Sequence, residues 1–156
     1  MVENKKIKNA TAKEYDGIKF KSLLEVMTYK TLKENGFEPK YEERTFHIWE
    51  GFTPHIPFYT KNKYKRKPKG IQVISNKTVL DGKELVDITY TPDFIIEYKN
   101  KTIIIECKGM PNEVFPYKFK IFRKHLETLE GNFILWEIFT KQQLLECIKL
   151  LKDEEV

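Results

Sequence analysis

The sequence predicts a mixed α/β fold, with one small central sheet flanked by helices. Three observations lead there. Ile103-Ile104-Ile105 is apolar on both faces of an extended run, which places it in the middle of a sheet. Phe115, Phe119, Phe122, Leu126 and Leu129 recur at helical spacing and form a one-sided stripe. Helical and extended segments also alternate along the chain. Their order is helix, strand, a basic insertion, strand, strand, helix, strand, helix. A chain of 156 residues has room for one ordinary domain. Its 40% apolar and 33% charged residues support a core and exclude a disordered chain.

Residues 1–19 are polar and Lys-rich and read as a loose basic arm. A helix is expected from Ser22 to Asn35. Ser22 is the N-cap, Glu25 completes a capping-box pattern, and Asn35-Gly36 is the stop. Leu23, Leu24, Met27 and Leu32 form its apolar side. Lys40 to Trp49 alternates in the manner of one strand. Residues 50–88 break the pattern with Pro54, Pro57 and Pro68. Six of the nine residues from Lys61 to Lys69 are basic, with Tyr59 and Tyr64 close by. Ile71–Ile74 is expected to pair with Thr78–Leu80 across Ser75-Asn76-Lys77, and Asp81-Gly82 is another turn. Asp87–Glu97 reads as a strand interrupted at Pro92, and Lys99-Asn100-Lys101 turns it into the strand Thr102–Lys108. A loop, Gly109–Pro116, leads to a helix over Tyr117–Leu129. A strand over Phe133–Phe139 and a helix over Lys141–Lys152 complete the chain.

Several classes drop out. No run of 18 apolar residues exists, so no membrane span is expected. Met1 to Lys8 lacks an apolar stretch, so no secretory signal is expected. Cys107 and Cys147 make neither a disulfide framework nor a zinc site, and a reducing cytoplasmic setting is the expectation. Lys plus Arg is 28 against 23 Asp plus Glu, a net charge of +5 that suits nucleic acid or an acidic membrane surface.

The chemistry concentrates at the end of the central strand. Glu106 and Lys108 share one face of that strand and Cys107 takes the other. The hairpin returns Asp93, of Thr91-Pro92-Asp93-Phe94, to their side. Two close carboxylates are costly to ionise together unless a cation sits between them. Mg²⁺ prefers oxygen ligands and keeps several waters. Asp93, Glu106 and the Cys107 carbonyl offer three oxygens. Lys108 is placed to hold or deprotonate an attacking water and to offset phosphate charge. The chain has five acid-x-Lys triplets, and only Glu106-Cys107-Lys108 ends an apolar strand one hairpin from a Pro-Asp. On the residues alone, a strand end with solvated charges stays open beside the metal reading.

These residues also resemble the PD-(D/E)xK nuclease superfamily. Within it, the chain resembles the phage endonuclease I type of Holliday-junction resolvase, and it is similar to related phage nucleases. The resemblance rests on Phe20-Lys21-Ser22-Leu23-Leu24-Glu25, Tyr41-Glu42-Glu43, Thr89-Tyr90-Thr91-Pro92-Asp93-Phe94 and Glu106-Cys107-Lys108-Gly109, in that order. It covers about residues 18–50 and 85–125. It implies a restriction-endonuclease-like core. Glu25 becomes a further metal-site carboxylate, Asp93 and Glu106 the main ligands, and Lys108 the catalytic lysine. It also implies a Mg²⁺-dependent endonuclease, with Mn²⁺ as a possible substitute. Water attacks directly, without a covalent enzyme intermediate. Branched DNA is the expected substrate, cut twice by a homodimer in the host cytoplasm of a phage or mobile element. The insertion at 50–88 is longer than that family usually carries between these motifs. A sequence-specific homing or restriction-type enzyme is therefore the alternative enzymatic reading. A catalytically silent nucleic-acid-binding module on the same fold is the alternative of another class.

Lys61, Lys63, Lys65, Arg66 and Lys67 are candidates for contact with DNA phosphates, or else a solvated loop. Lys118, Lys120, Arg123 and Lys124 leave the helical stripe free and read as backbone contacts beside the scissile site, or else a wet face. His47, His55 and His125 lack ligand spacing and read as structural or surface residues. Trp49, Trp136 and most of the phenylalanines are expected in the core, and Cys107 is expected to be a buried strand residue.

Overall fold

In the computed structural model, which describes residues 13–61, 64–67, 70–73, 78–110 and 113–153, part of the expected arm is a hairpin. Strands β1 (Lys13–Tyr15) and β2 (Ile18–Phe20) pair antiparallel. Their turn is Asp16-Gly17, with φ of 53° and 74°. A two-residue turn with both φ positive matches the twist of the flanking strands, and Asp-Gly tolerates it. Residues 1–12 of the expected arm lie outside the described residues. Helix α1 (Leu23–Glu34) follows, with Ser22 as its N-cap and Asn35 as its C-cap. Lys40–Trp49 is two strands, β3 (Lys40–Tyr41) and β4 (Phe46–Trp49), rather than one. Glu42 adopts φ 46°, which breaks the extended run between them.

The chain divides into two compact units, one of Met1–Phe46 with Thr89–Val156 and one of His47–Ile88. The second corresponds closely to the insertion. In it, β5 (Tyr59–Lys61), β6 (Tyr64–Lys67), β7 (Gly70–Val73) and β8 (Thr78–Leu80) form two antiparallel pairs, β5 with β8 and β6 with β7. The expected pairing of 71–74 with 78–80 is thus incorrect. Thr78–Leu80 instead pairs with Tyr59–Lys61, and Gly70–Val73 with Tyr64–Lys67. Ser75, Asn76 and Lys77 lie outside the described residues.

The first unit is built on β10 (Phe94–Tyr98) and β11 (Lys101–Cys107), reached from β9 (Ile88–Tyr90) and followed by α2 (Phe115–Leu126), β12 (Phe133–Ile138) and α3 (Lys141–Asp153). Its sheet has the order β12-β11-β10-β3. β11 runs antiparallel to β10 and parallel to β12, with α2 in the crossover to β12. As expected, Ile103, Ile104 and Ile105 are central and fully buried. Phe94, Ile96, Ile103, Ile105, Trp136 and Ile138 share a core with Tyr29 and Leu32 of α1 and Leu144, Ile148 and Leu151 of α3. Burying each large apolar side chain contributes about 1.5–3 kcal/mol. α2 begins at Phe115 rather than Tyr117, because Pro116 fits the first turn of a helix, where its missing N–H costs nothing. Phe122 of α2 stacks on Tyr90 at 4.3 Å and meets Phe46 edge-on at 5.0 Å.

The protein is therefore mixed α/β, with helices packed on a small sheet. Among the described residues no helix is long and apolar enough to cross a membrane. Trp136 is in the core, but Trp49 is 36% exposed, so its expected burial is corrected. It sits in the small second unit, whose short two-stranded pairs enclose little interior. His47 pairs with Asp87 at the surface, His55 is exposed, and His125 lies edge-on to Phe46.

Candidate functional site

The β10–β11 register aligns Phe94 with Ile105, so Asp93 stands one step beyond, across from Glu106. The main chain locks this corner. The Cys107 N–H donates to Asp93 Oδ2 at 2.7 Å, and the Asp93 carbonyl accepts from the Glu42 N–H at 2.9 Å. The positive φ of Glu42 belongs to the same turn. Beyond β11, the Lys108 N–H donates to the Ile138 carbonyl at 2.8 Å, which extends the parallel ladder by one residue.

Alternation along β11 then sorts the side chains. Lys108 Nζ lies 2.8 Å from Glu106 Oε1 and 3.6 Å from the centre of the Phe115 ring. Both members of the ion pair are largely buried. Cys107 points the other way, and its thiol donates to Thr28 Oγ1 of α1 at 3.3 Å. Any contribution of Cys107 to a cation would therefore come from its main-chain carbonyl.

Glu25 has a double role. It is a capping residue, since its N–H donates to Ser22 Oγ at 3.1 Å and Ser22 Oγ donates to Glu25 Oε1 at 2.8 Å. Its Oε2 accepts from the Lys21 N–H at 3.0 Å and from the Tyr41 hydroxyl at 2.8 Å. The carboxylate is buried at the end of α1 nearest the Asp93 corner, close enough to act on Asp93 electrostatically.

The charges are crowded. Burial, then the neighbouring Glu106 and Glu25 charges, push the Asp93 carboxyl up to about 8, against the opposing pull of the Cys107 N–H and Lys108. Burial, then Asp93, push the Cys107 thiol up as well. Tyr90 is raised by burial and by Glu106 beside it. Its hydroxyl is buried and makes no hydrogen bond of normal geometry. Tyr41 is raised by burial and by its bond to Glu25. Lys21 pairs with Glu42, and that bond, with the charges of Glu42, Asp93 and Glu25, raises Lys21 despite partial burial.

The structure thus brings Asp93, Glu106 and Lys108 together, with Glu25 held from α1. Among the described residues, no three His, Cys, Asp or Glu side chains form a group that could hold a metal alone. The arrangement offers carboxylate oxygens, a paired ammonium and the buried Tyr90 hydroxyl beside Glu106. These suit a cation that retains water, or an anionic ligand held through one. The candidate basic residues lie on other elements. Lys120, Arg123 and Lys124 are exposed on α2 and Lys118 is half-buried there. Arg123 lines a pocket with Leu126, Phe133 and Leu135, none of which belongs to the Asp93 corner. Lys61 is exposed on β5, Lys65, Arg66 and Lys67 lie on β6, and Lys63 lies outside the described residues.

Sequence reasoning missed Lys21, Tyr41 and Tyr90 as members of the site. Each lies within a quoted motif, next to or near a recognised residue, but the partner is remote in the chain.

No curated protein and no solved structure matches the chain. A family model described as "Protein of unknown function (DUF1064)" matches residues 5–139, most of its length. The chain belongs to the DUF1064 family.

Proposed function

We propose that the protein is a metal-dependent DNA endonuclease with a restriction-endonuclease-like core. The observation that carries this reading is the Asp93 corner. An aspartate stands across a hairpin from a glutamate whose neighbour-but-one lysine is ion-paired to it, at the end of the central strand. Burial of these charges works against stability, and Asp93 held up to about 8 expresses that cost. A divalent cation would relieve it. The donor set is all oxygen, from Asp93, Glu106 and the Cys107 carbonyl, with Glu25 behind, which suits Mg²⁺ or Mn²⁺ with water filling the remaining positions.

A bound Mg²⁺ supplies charge neutralisation and Lewis acidity toward the phosphoryl oxygen. The chain's own residues do the rest. Asp93 is oriented by the Cys107 N–H. Glu106 positions Lys108 through their ion pair, and the Phe115 ring lies against the ammonium. Lys108 then orients the attacking water and offsets charge on the phosphate. Tyr41 and Ser22 fix Glu25, and the buried Tyr90 hydroxyl stands beside Glu106.

Branched DNA is the proposed substrate, and a homodimer would place two sites on opposing strands. Cleavage with Mg²⁺ on a four-way junction, a mismatch duplex and a plain duplex tests this. Junction cutting supports the proposal. Cutting of particular plain sequences moves the assignment to a homing or restriction-type enzyme. No cutting with Mg²⁺ or Mn²⁺ refutes the nuclease reading and leaves a binding module.

A further inference from the structure

The second unit concentrates charge. Between His47 and Ile88 the chain has eight Lys and Arg against four Asp and Glu, so +4 of the total +5 lies there. It also concentrates exposed apolar surface. Of sixteen large hydrophobic residues that are exposed among the described residues, eight belong to this unit. They include Trp49, Phe52, Phe58 and Tyr59, with Phe58 58% and Tyr59 67% exposed. Trp49 and Phe52 meet edge-on at 5.6 Å, so they form one aromatic cluster.

The β5–β8 pair orders this surface. Tyr59 faces Leu80 and Lys61 faces Thr78 across the ladder, and all four are exposed, whereas Thr60 and Val79 between them are half-buried. One face of the ribbon therefore presents an aromatic ring and an ammonium two residues apart, about 7 Å along the strand.

We infer that this face binds single-stranded DNA, with Tyr59 stacking on an unpaired base and Lys61 on the backbone. Exposed rings need an exposed base face, which a duplex keeps stacked and a single strand offers. The charge decides against a second copy of the chain, because that would press two +4 units together. The choice of DNA rests on the proposed nuclease reading. Branched and processed DNA contains the unpaired segments that such a face would hold.

The test uses the full chain carrying Asp93→Ala, in EDTA, so that nothing is cut. Anisotropy measures binding to a labelled oligo-dT of about 20 nucleotides and to a duplex of equal length, over a range of salt. Oligo-dT is expected to bind more tightly than duplex. Tyr59→Ala should weaken oligo-dT binding about 5- to 100-fold with little change in salt slope. Lys61→Gln should instead lower the slope by about 0.7. Unchanged melting temperatures establish that the variants are folded. Unaltered oligo-dT binding by Tyr59→Ala overturns the inference, as does equal or tighter duplex binding. So does a dimer in sedimentation that Tyr59→Ala dissociates, or binding to phosphatidylserine vesicles that Tyr59→Ala weakens while oligo-dT binding stays intact. Because no cleavage is read, failure of wild-type cutting would refute the nuclease and leave this result to stand or fall separately.

Discussion

Replacing Asp93 with Asn in the metal-free protein removes the one carboxylate that burial and its neighbours hold up to about 8. An unfolded aspartate titrates near 4. Between about pH 4 and pH 8 the folded state therefore holds a proton that the unfolded state has lost. The Asp93 contribution to stability must fall as pH rises through that window and be flat above and below it. Each pH unit of displacement is worth about 1.36 kcal/mol, so the whole window corresponds to about 5 kcal/mol. Asparagine keeps an acceptor for the Cys107 N–H, so the bond at 2.7 Å can survive. Asp93→Asn should match the wild type near pH 4 and be about 2–5 kcal/mol more stable at pH 9. Urea unfolding in EDTA at pH 4, 6, 8 and 9 measures the difference, and common pH effects cancel between the two proteins. A constant difference across the series, or a variant less stable at pH 9, would refute the account of a strained, charge-crowded corner.

Three further outcomes follow from the same structure. Ile104→Ala opens a cavity in the fully buried central strand and should cost about 2–5 kcal/mol in urea unfolding; a cost below about 1 kcal/mol would contradict its central place. Changing Lys65, Arg66 and Lys67 together to Gln should lower the salt slope of DNA binding by about 2–3, and an unchanged slope would make β6 a bystander. Cys107 is kept protonated by burial and by the Asp93 charge, so a thiol reagent at pH 8 should label it at least about 10-fold more slowly in the native protein than in the unfolded chain. Equal rates would show that the thiol is open to solvent.

What was legible in the sequence was mostly local. The Ser22–Glu25 cap, the central isoleucines and the Pro92 break appear as read, because each is decided within a few residues. The 13–20 hairpin was equally local, but its Asp16-Gly17 signal is hidden among lysines with little apolar alternation to flank it. The break at Glu42 was not legible, since the alternating pattern runs straight through it and only the contact with Asp93 explains the turn. Pairing in the second unit depended on where the chain folds back, and short strands of similar composition do not encode that. In the site, the hairpin placed Asp93 across from Glu106. The bonds from Tyr41 to Glu25 and from Lys21 to Glu42 join segments that only the tertiary fold brings together.

Asp93, Glu106 and Lys108 are proposed to act as one metal-dependent hydrolytic set. Nicking of a supercoiled plasmid bearing an extruded cruciform, by the wild type, Asp93→Ala and Lys108→Ala, with Mg²⁺ or with EDTA, tests it most directly. The expected result is nicking by the wild type in Mg²⁺ alone, and loss of nicking in both variants while their DNA binding is retained. Nicking at the wild-type rate by either variant, or undiminished nicking in EDTA, would contradict it.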